Sequence, residues 1–406
     1  MDKSKSNQIN LNRLAQVSPV IRGLLANPTG NEDIPYEPVI LKSLTNKEAV
    51  DFAASAENAD VQQYPAPLTK GRKPPLFLDA VDFNSEPENL CKQLSDWISD
   101  YSTRHNRKPE IICLRELGML YVDQKDNDSD LPLKNKVALV TGAAGAIGYG
   151  ICRGLLENGC YLAATDLAGE KLDGLLADLK RDPALREPEE AADHVIGVPL
   201  DVTDKASVAQ GFENIIQTWG GIDIAVVNAG IPLVAHLKDI DLDDFRRLEK
   251  VNVEGALLTL SEIARHFILQ GTGGDVIVIS TKNVPSPGAG FGAYSATKAA
   301  CHQLGRIASI ELAQYGVRVN MVAPDAVFSE GKYKSGLWQE IGPGRMQARG
   351  LDEKGLQEYY RNRNLLKARV TGRHVSNAVL FFATRQTPTT GATIPVDGGL
   401  PDATLR

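Results

Sequence analysis

The stretch "KVALVTGAAGAIGYG" (136–150) decides how the rest of the chain is read. An apolar, β-branched run ends at Gly142, small residues follow, and over "IGYGICRGLLENG" (147–159) the apolar spacing becomes helical. This is a strand turning sharply into a helix, with Gly142 allowing the turn and Gly148 letting helix and sheet pack closely. Gly142, Gly145, Ala146, Ile147 and Gly148 bring backbone to the helix start. There, free N–H groups and the positive end of the helix dipole suit a pyrophosphate. By itself such a turn also occurs with no ligand, so its meaning depends on what surrounds it.

Working outward, further buried-strand segments read at 161–167, 194–202, 222–230, 275–281 and 317–324, with helix-like segments between them. Near-continuous apolar strands alternating with helices predict a doubly wound α/β domain, a parallel sheet covered on both faces. Ligand sites in such sheets lie at the carboxyl ends of the strands. Asp166 closes the second strand, where a carboxylate accepts hydrogen bonds from the ribose hydroxyls of a dinucleotide. It would repel a 2′-phosphate, and no arginine follows it directly, so the expected cofactor is NAD rather than NADP. Asp201 and Val202 end the third strand near the place of an adenine edge. Asn228, Ala229 and Gly230 end the fourth, as a cofactor contact or a plain strand-end turn, and Pro324 ends the sixth. The charged, proline-containing segment 180–193 reads as an insertion before the third strand.

The first 130 residues lack this alternation. Residues 27–38 and 64–75 are loop-like, 88–105 form an amphipathic helix, 109–122 read as strand, turn and strand, and 123–132 as a polar linker. The expected division is a small N-terminal α/β extension (1–130) and a larger domain (131–406). At 406 residues the chain is too long for one ordinary core. A net charge of −7 disfavours generic nucleic-acid binding, and no stretch is long and apolar enough to span a bilayer. Five dispersed cysteines without a CxxC spacing argue against a disulfide or zinc framework. With no apolar signal core at the N-terminus, the expected location is the cytoplasm.

A second stretch, "IVISTKNVPSPGAGFGAYSATKAA" (277–300), carries the chemistry. Hydride exchange with a nicotinamide requires a proton to move at the oxygen of the same carbon. A phenol, with an ordinary pKa of about 10, is a poor base near neutrality unless a cation favours the phenolate. Lys298 lies four residues after Tyr294 and so on the same helix face. Tyr-x-x-x-Lys is common on exposed helices, and here its place after the fifth strand gives it meaning.

The ordered set "TGAAGAIG", Asp166, "NAG", "VNVEG" with Asn252, "YSATK" and "IPVDGG" resembles the short-chain dehydrogenase/reductase family over about two thirds of the chain. The resemblance implies a Rossmann fold, NAD, and a small-molecule substrate carrying a CH–OH group. It also implies a homodimer or homotetramer built through the helices of Asn252 and Tyr294. Ala146 departs from the pattern, which has glycine there, and Gly145 beside it is expected to compensate. Thr281 stands where the family has a serine, whose hydroxyl bonds the substrate oxygen. Threonine keeps the hydroxyl and adds a methyl, while strand alternation turns Ser280 to the opposite face. Asn252 either holds a water that relays protons from Lys298 or is a buried helix amide satisfied by backbone.

More narrowly, "STKNVPSPGAGFGAYSATKAA", "NMVAPDAVFSEGKYKSGLW" and "YYRNRNLLKARV" resemble the dehydrogenase half of bifunctional rhamnulose-phosphate aldolase/lactaldehyde dehydrogenase proteins. "PPLFLDAVDF" and "YSTRHNRKPEIICLRELGMLYV" resemble the end of their class II aldolase half. That half binds a divalent metal through several histidines, whereas residues 1–130 contain only His105. A metal-free remnant is therefore expected, used for packing, oligomer contacts or roofing the dehydrogenase pocket. Residues 325–369 are expected to form a lid and carry nine basic against six acidic residues. Lys282, Asn283, Asp325 and Arg345 are candidate substrate contacts. Arg349, Arg361 and Arg363 join Lys282 and Arg345 as candidates for clamping a phosphate, or as solvated surface charges. The expected reaction interconverts a secondary alcohol and a ketone on a sugar, polyol or sugar phosphate. The alternatives are a dehydrogenase of a small hydroxyaldehyde and an NAD-binding scaffold without turnover.

Overall fold

The computed structural model of the chain describes residues 3–55, 74–123, 130–182, 185, 193–336, 338–339 and 342–401. Most of the 180–193 insertion, the middle of the 123–132 linker and the segment 64–73 lie outside the described residues.

The N-terminal region comprises α1 (Lys3–Leu25), β1 (Asn27–Pro28), β2 (Tyr36–Glu37), β3 (Ile40–Leu44), α2 (Lys47–Ala54), β4 (Leu76–Leu78), α3 (Pro87–His105), β5 (Ile111–Leu114) and β6 (Gly118–Asp123). Its four-stranded sheet runs β3-β6-β5-β4. β5 and β6 form the expected antiparallel hairpin, with Glu116 at φ 68° in the turn. The stretch read as a loop at 27–38 contains instead the short antiparallel pair β1–β2. One face of α1 (Leu14, Val17, Ile21, Leu25) and one of α3 (Leu90, Leu94, Ile98, Tyr101) close a core over this sheet.

The larger region holds β7 (Val137–Thr141), α4 (Ala146–Glu157), β8 (Tyr161–Asp166), α5 (Glu170–Arg181), β9 (Val195–Pro199), α6 (Lys205–Trp219), β10 (Ile224–Val227), α7 (Leu242–Glu249), a π-helical turn (Lys250–Glu254), α8 (Gly255–Gln270), β11 (Gly274–Ile279), α9 (Gly292–Glu311), β12 (Val317–Pro324), α10 (Gly342–Arg349), α11 (Glu353–Asn362), α12 (Gly372–Ala383) and β13 (Thr393–Val396). All strand pairs are parallel, in the order β13-β12-β11-β10-β7-β8-β9. This is the expected doubly wound, Rossmann-like sheet. Because every strand is followed by a crossover that covers a face, the apolar side chains divide into two cores. One packs under α4, α5 and α12, the other under α6, α8 and α9. The seventh strand, β13, was not legible: it is four residues long, lies on the sheet edge and contains Pro395.

The two regions join at the amino ends of the strands. Arg22 on α1 is 1% exposed and spans both oxygens of Asp223, at 2.9 and 2.7 Å, just before β10. Its guanidinium also donates to Val39 O, Asn135 O and Gln270 Oε1. Ser43 donates to Gln217 O near the end of α6, and Ile40 enters the core of the larger sheet. The N-terminal region therefore sits on the opposite side from the carboxyl ends of the strands. The idea that it roofs the pocket is corrected: it forms a base.

Candidate functional site

The glycine turn sits between two strand ends. Gly142 has φ 63°, and a side chain there would come within 2.8 Å of Ala229 Cα. Asn228 fixes the turn by donating from Nδ2 to Thr141 O (2.8 Å) and Gly142 O (2.9 Å), while Thr141 Oγ1 accepts the N–H groups of Asn228 and Ala229. Asn228 and Ala229 thus act first on the turn. Gly148 packs against Gly142 O, as the sequence implied. Ala146 needs no compensation: it is the first residue of α4 and lacks a positive φ. Gly145, at φ −82°, is open to any residue by conformation, and a Cβ there would meet nothing closer than 3.8 Å. α4 starts with no side chain capping its first N–H groups, which leaves donors facing that open side.

Asp166 reaches over the same turn. Its Oδ2 accepts Ala144 N–H (2.9 Å) and its Oδ1 accepts Leu167 N–H (2.8 Å). The open turn, uncapped helix and oriented carboxylate fit a dinucleotide, with the phosphates at α4 and a ribose at Asp166. Asp201 is occupied locally, accepting the N–H and hydroxyl of Thr203 before α6. Val202 is buried against Gly255.

A cavity of about 180 Å³ opens beside the turn and collects half of the predicted residues. Its lining includes Ile147, Asn228, Gly230, Thr281, Lys282, Asn283, Tyr294, Lys298, Pro324 and Asp325. β11 delivers Thr281, which is 6% exposed and accepts Asn283 N–H at 3.3 Å. Ser280 turns away, as alternation requires, and pairs with His302 on α9. Tyr294 and Lys298 project from the first turns of α9. Lys298 is buried, and its Nζ donates to Ile279 O at 2.8 Å, which ties the helix to the end of β11. Gly230 allows this crowding, since a Cβ there would lie 3.3 Å from Lys298 Nζ and 3.1 Å from Asn252 Oδ1.

Asn252 occupies the π-helical turn and is 1% exposed. Its Oδ1 accepts Ile231 N–H, and its Nδ2 donates to Ile231 O and Thr297 Oγ1. With both amide hydrogens committed, its side chain clamps the strand-end loop beside Lys298.

The charged candidates separate. Lys282 and Arg363 line the cavity with Asp325. Burial pushes the Lys282 ammonium below its ordinary value, opposed by the nearby Asp325 charge. Burial pushes the Asp325 carboxyl up, opposed by Arg363 and Lys282. Arg345 lies instead in an adjoining groove of about 580 Å³ with Arg247 and Arg349, where it stacks on Phe291. Arg361 bonds Lys367 O and Glu358 at the surface. The five expected clamp residues therefore form no single phosphate site.

Tyr360 was missed. It lines the cavity from α11 with its hydroxyl buried and unpartnered, a state no sequence pattern signals. The apolar cluster that carries it (Phe328, Leu356, Tyr360, with Trp338 against the Tyr360 ring) assembles the expected lid over the carboxyl ends of the strands.

Residues 136–340 match the short chain dehydrogenase family, and the chain belongs to it. It is 32% identical over 275 residues to the oxidoreductase YuxG of Bacillus subtilis, covering 67% of this chain and 38% of that protein. It thus spans well under half the length of that relative. It is 32% identical over 198 residues to a sorbitol dehydrogenase of Cereibacter sphaeroides, covering 49% of this chain and 73% of the relative. The crystal structure of levodione reductase superposes with a TM-score of 0.59 at 22% identity, over 67% of this chain and 100% of that one, a likeness of fold.

Proposed function

We propose that the protein is an NAD-dependent dehydrogenase interconverting a secondary alcohol and a ketone on a sugar or polyol. The observation that carries this reading is the convergence of Thr281, Tyr294 and Lys298 on one cavity beside the open glycine turn. In the direction of oxidation, the Tyr294 oxygen takes the proton of the substrate hydroxyl. Thr281 donates a hydrogen bond to the same oxygen and steadies its developing charge. Lys298, held by Ile279 O, keeps a positive charge on the Tyr294 face of α9. A bound nicotinamide supplies the hydride acceptor. Asp166, ordered by two backbone N–H groups and followed by the exposed Leu167, supports NAD over NADP.

The likeness to a sorbitol dehydrogenase supports a polyhydroxylated substrate. Residues 1–130 we read as a metal-free, aldolase-like remnant acting as a structural base. Exposed Leu257 and Ile268 on α8, with Ile307 and Ile310 on α9, support a homodimer or homotetramer through those helices. The test is turnover of a panel of alditols, sugars and their phosphates with NAD and with NADP. Reduction of NAD by a polyol, with weaker use of NADP, is the expected result. NAD binding without turnover of any member would overturn the reading.

A further inference from the structure

We infer that Asn283 and Tyr360, backed by the Asp325–Arg363 pair, form a hydroxyl-reading wall that selects an uncharged polyhydroxylated chain over a phosphorylated one. This rests on the dehydrogenase reading above and specifies its substrate.

Asn283 and Tyr360 are 6% and 4% exposed, and both Asn283 Oδ1 and the Tyr360 hydroxyl are buried without a hydrogen-bond partner. Both residues line the cavity that holds Thr281 and Tyr294. Leaving a buried polar group unsatisfied costs stability, so two in the wall of one cavity point to partners that a ligand brings. Their origins in the chain agree with this. Asn283 follows Thr281 by two residues and bonds it through its backbone N–H, so a substrate oxygen held at Thr281 has Asn283 alongside. Tyr360 comes from the lid, where the Trp338 and Phe328 cluster fixes its ring and Arg363 covers a face at 5.1 Å.

Charge decides what kind of ligand fits. The cations Lys282 and Arg363 are opposed by Asp325 and by Asp397, which acts on both Lys282 and Asp325, while Arg345 adds a positive field at Lys282 and Tyr360. Arg363 Nη2 reaches both Asp325 oxygens at 3.4 Å, long for a charge-assisted bond, so the carboxylate keeps capacity to accept from a ligand. A phosphate only accepts hydrogen bonds and would face the Asp325 charge. A hydroxyl both donates and accepts: it can donate to Asn283 Oδ1 or Asp325 and accept from Tyr360. Of the other basic candidates on the lid, Arg361 is engaged at the surface. Arg345 and Arg349 act on Tyr360 from the adjoining groove, where their guanidinium groups stack on Phe291 and Tyr359 and do not line the cavity.

The test pairs sorbitol with sorbitol 6-phosphate, and other alditols with their terminal phosphates, in wild type, Tyr360→Phe and Asn283→Ala. The neutral member should have a kcat/KM at least about tenfold higher. Both substitutions should raise its KM about tenfold or more, with a smaller change in kcat and none in NAD affinity. Tyr360→Phe should also keep or raise the thermal midpoint of the ligand-free protein, since it deletes a hydroxyl that has no partner. Preference for the phosphates, unchanged KM in both variants, or a lowered midpoint in Tyr360→Phe would overturn the inference. If no member is turned over, the dehydrogenase reading fails. The wall is then judged by sorbitol itself, which must raise the thermal midpoint of wild type more than that of Tyr360→Phe, and equal shifts would overturn it.

Discussion

Replacing Arg22 by methionine tests how the two regions are held together. The guanidinium is fully enclosed and makes five hydrogen bonds: two to Asp223 and one each to Val39, Asn135 and Gln270. Burial pushes the Asp223 carboxyl up, but the Arg22 charge and hydrogen bonds outweigh it and hold that carboxyl below its ordinary range. Methionine fills much of the volume yet leaves a buried carboxylate whose remaining hydrogen-bond donor is Val137 N–H, at 2.7 Å. Removing one partner of a buried ion pair costs about 3–5 kcal/mol. Urea denaturation followed by circular dichroism should show a loss of that size at neutral pH. Adding Asp223→Asn, which removes the stranded charge and keeps an acceptor for Val137, should restore part of it. The pair's contribution is present above the ordinary aspartate pKa and is lost as pH falls through the depressed folded value, so the gap between wild type and Arg22→Met should close in acid. Because the contact lies at the amino ends of the strands, NAD affinity should be unchanged. A loss below about 1 kcal/mol, the range of an exposed pair, would refute the reasoning.

Asp166→Ser should weaken NAD binding by about 10–100-fold, the worth of hydrogen bonds to a charged group, and shift the NAD/NADP ratio toward NADP. Titration calorimetry with both dinucleotides checks this, and an unchanged ratio would remove Asp166 from the ribose site. Thr281→Ala should lower kcat by about 10²–10³-fold while Thr281→Ser stays near wild type, as steady-state kinetics would show. His266 is buried, with burial first and Arg22 second holding its pKa down to about 4, and its Nε2 accepts Ile222 N–H. A base with a depressed folded pKa stabilises fully above its unfolded value, near 6.5, and loses that contribution as pH falls. Wild type should therefore lose about 1.4 kcal/mol per pH unit relative to His266→Gln between pH 6.5 and 4, measured by denaturation at several pH values.

The larger sheet was legible because each internal strand is a near-continuous apolar run and each falls before a helical pattern. β13 escaped because its edge position and Pro395 free it from that pattern. α1 escaped for a different reason. Its buried face is interrupted by Pro19 and by Arg22, a charge that makes sense only beside Asp223, 201 residues away. At the site, Tyr294, Lys298 and Thr281 were readable because one strand, loop and helix carry all three. The partition of the basic residues was not readable. It depends on how the lid folds: Arg363 turns inward to Asp325, Arg345 stacks on Phe291 outside the cavity, and Tyr360 is left with a buried hydroxyl. Asn252 kept two readings in the sequence, and its side-chain bonds to Ile231 and Thr297 add a loop-clamping role that neither reading contained.

The central claim is proton transfer at Tyr294 within a hydride-transfer enzyme. Its most direct test is Tyr294→Phe, which removes one oxygen and keeps the ring that Phe291 meets at 6.1 Å. Turnover with the best polyol and NAD affinity should be measured on the same preparation. The account predicts a fall in kcat of at least about 10²–10⁴-fold, the usual worth of a positioned acid or base, with NAD affinity within about twofold of wild type. Activity retained within about tenfold would contradict it.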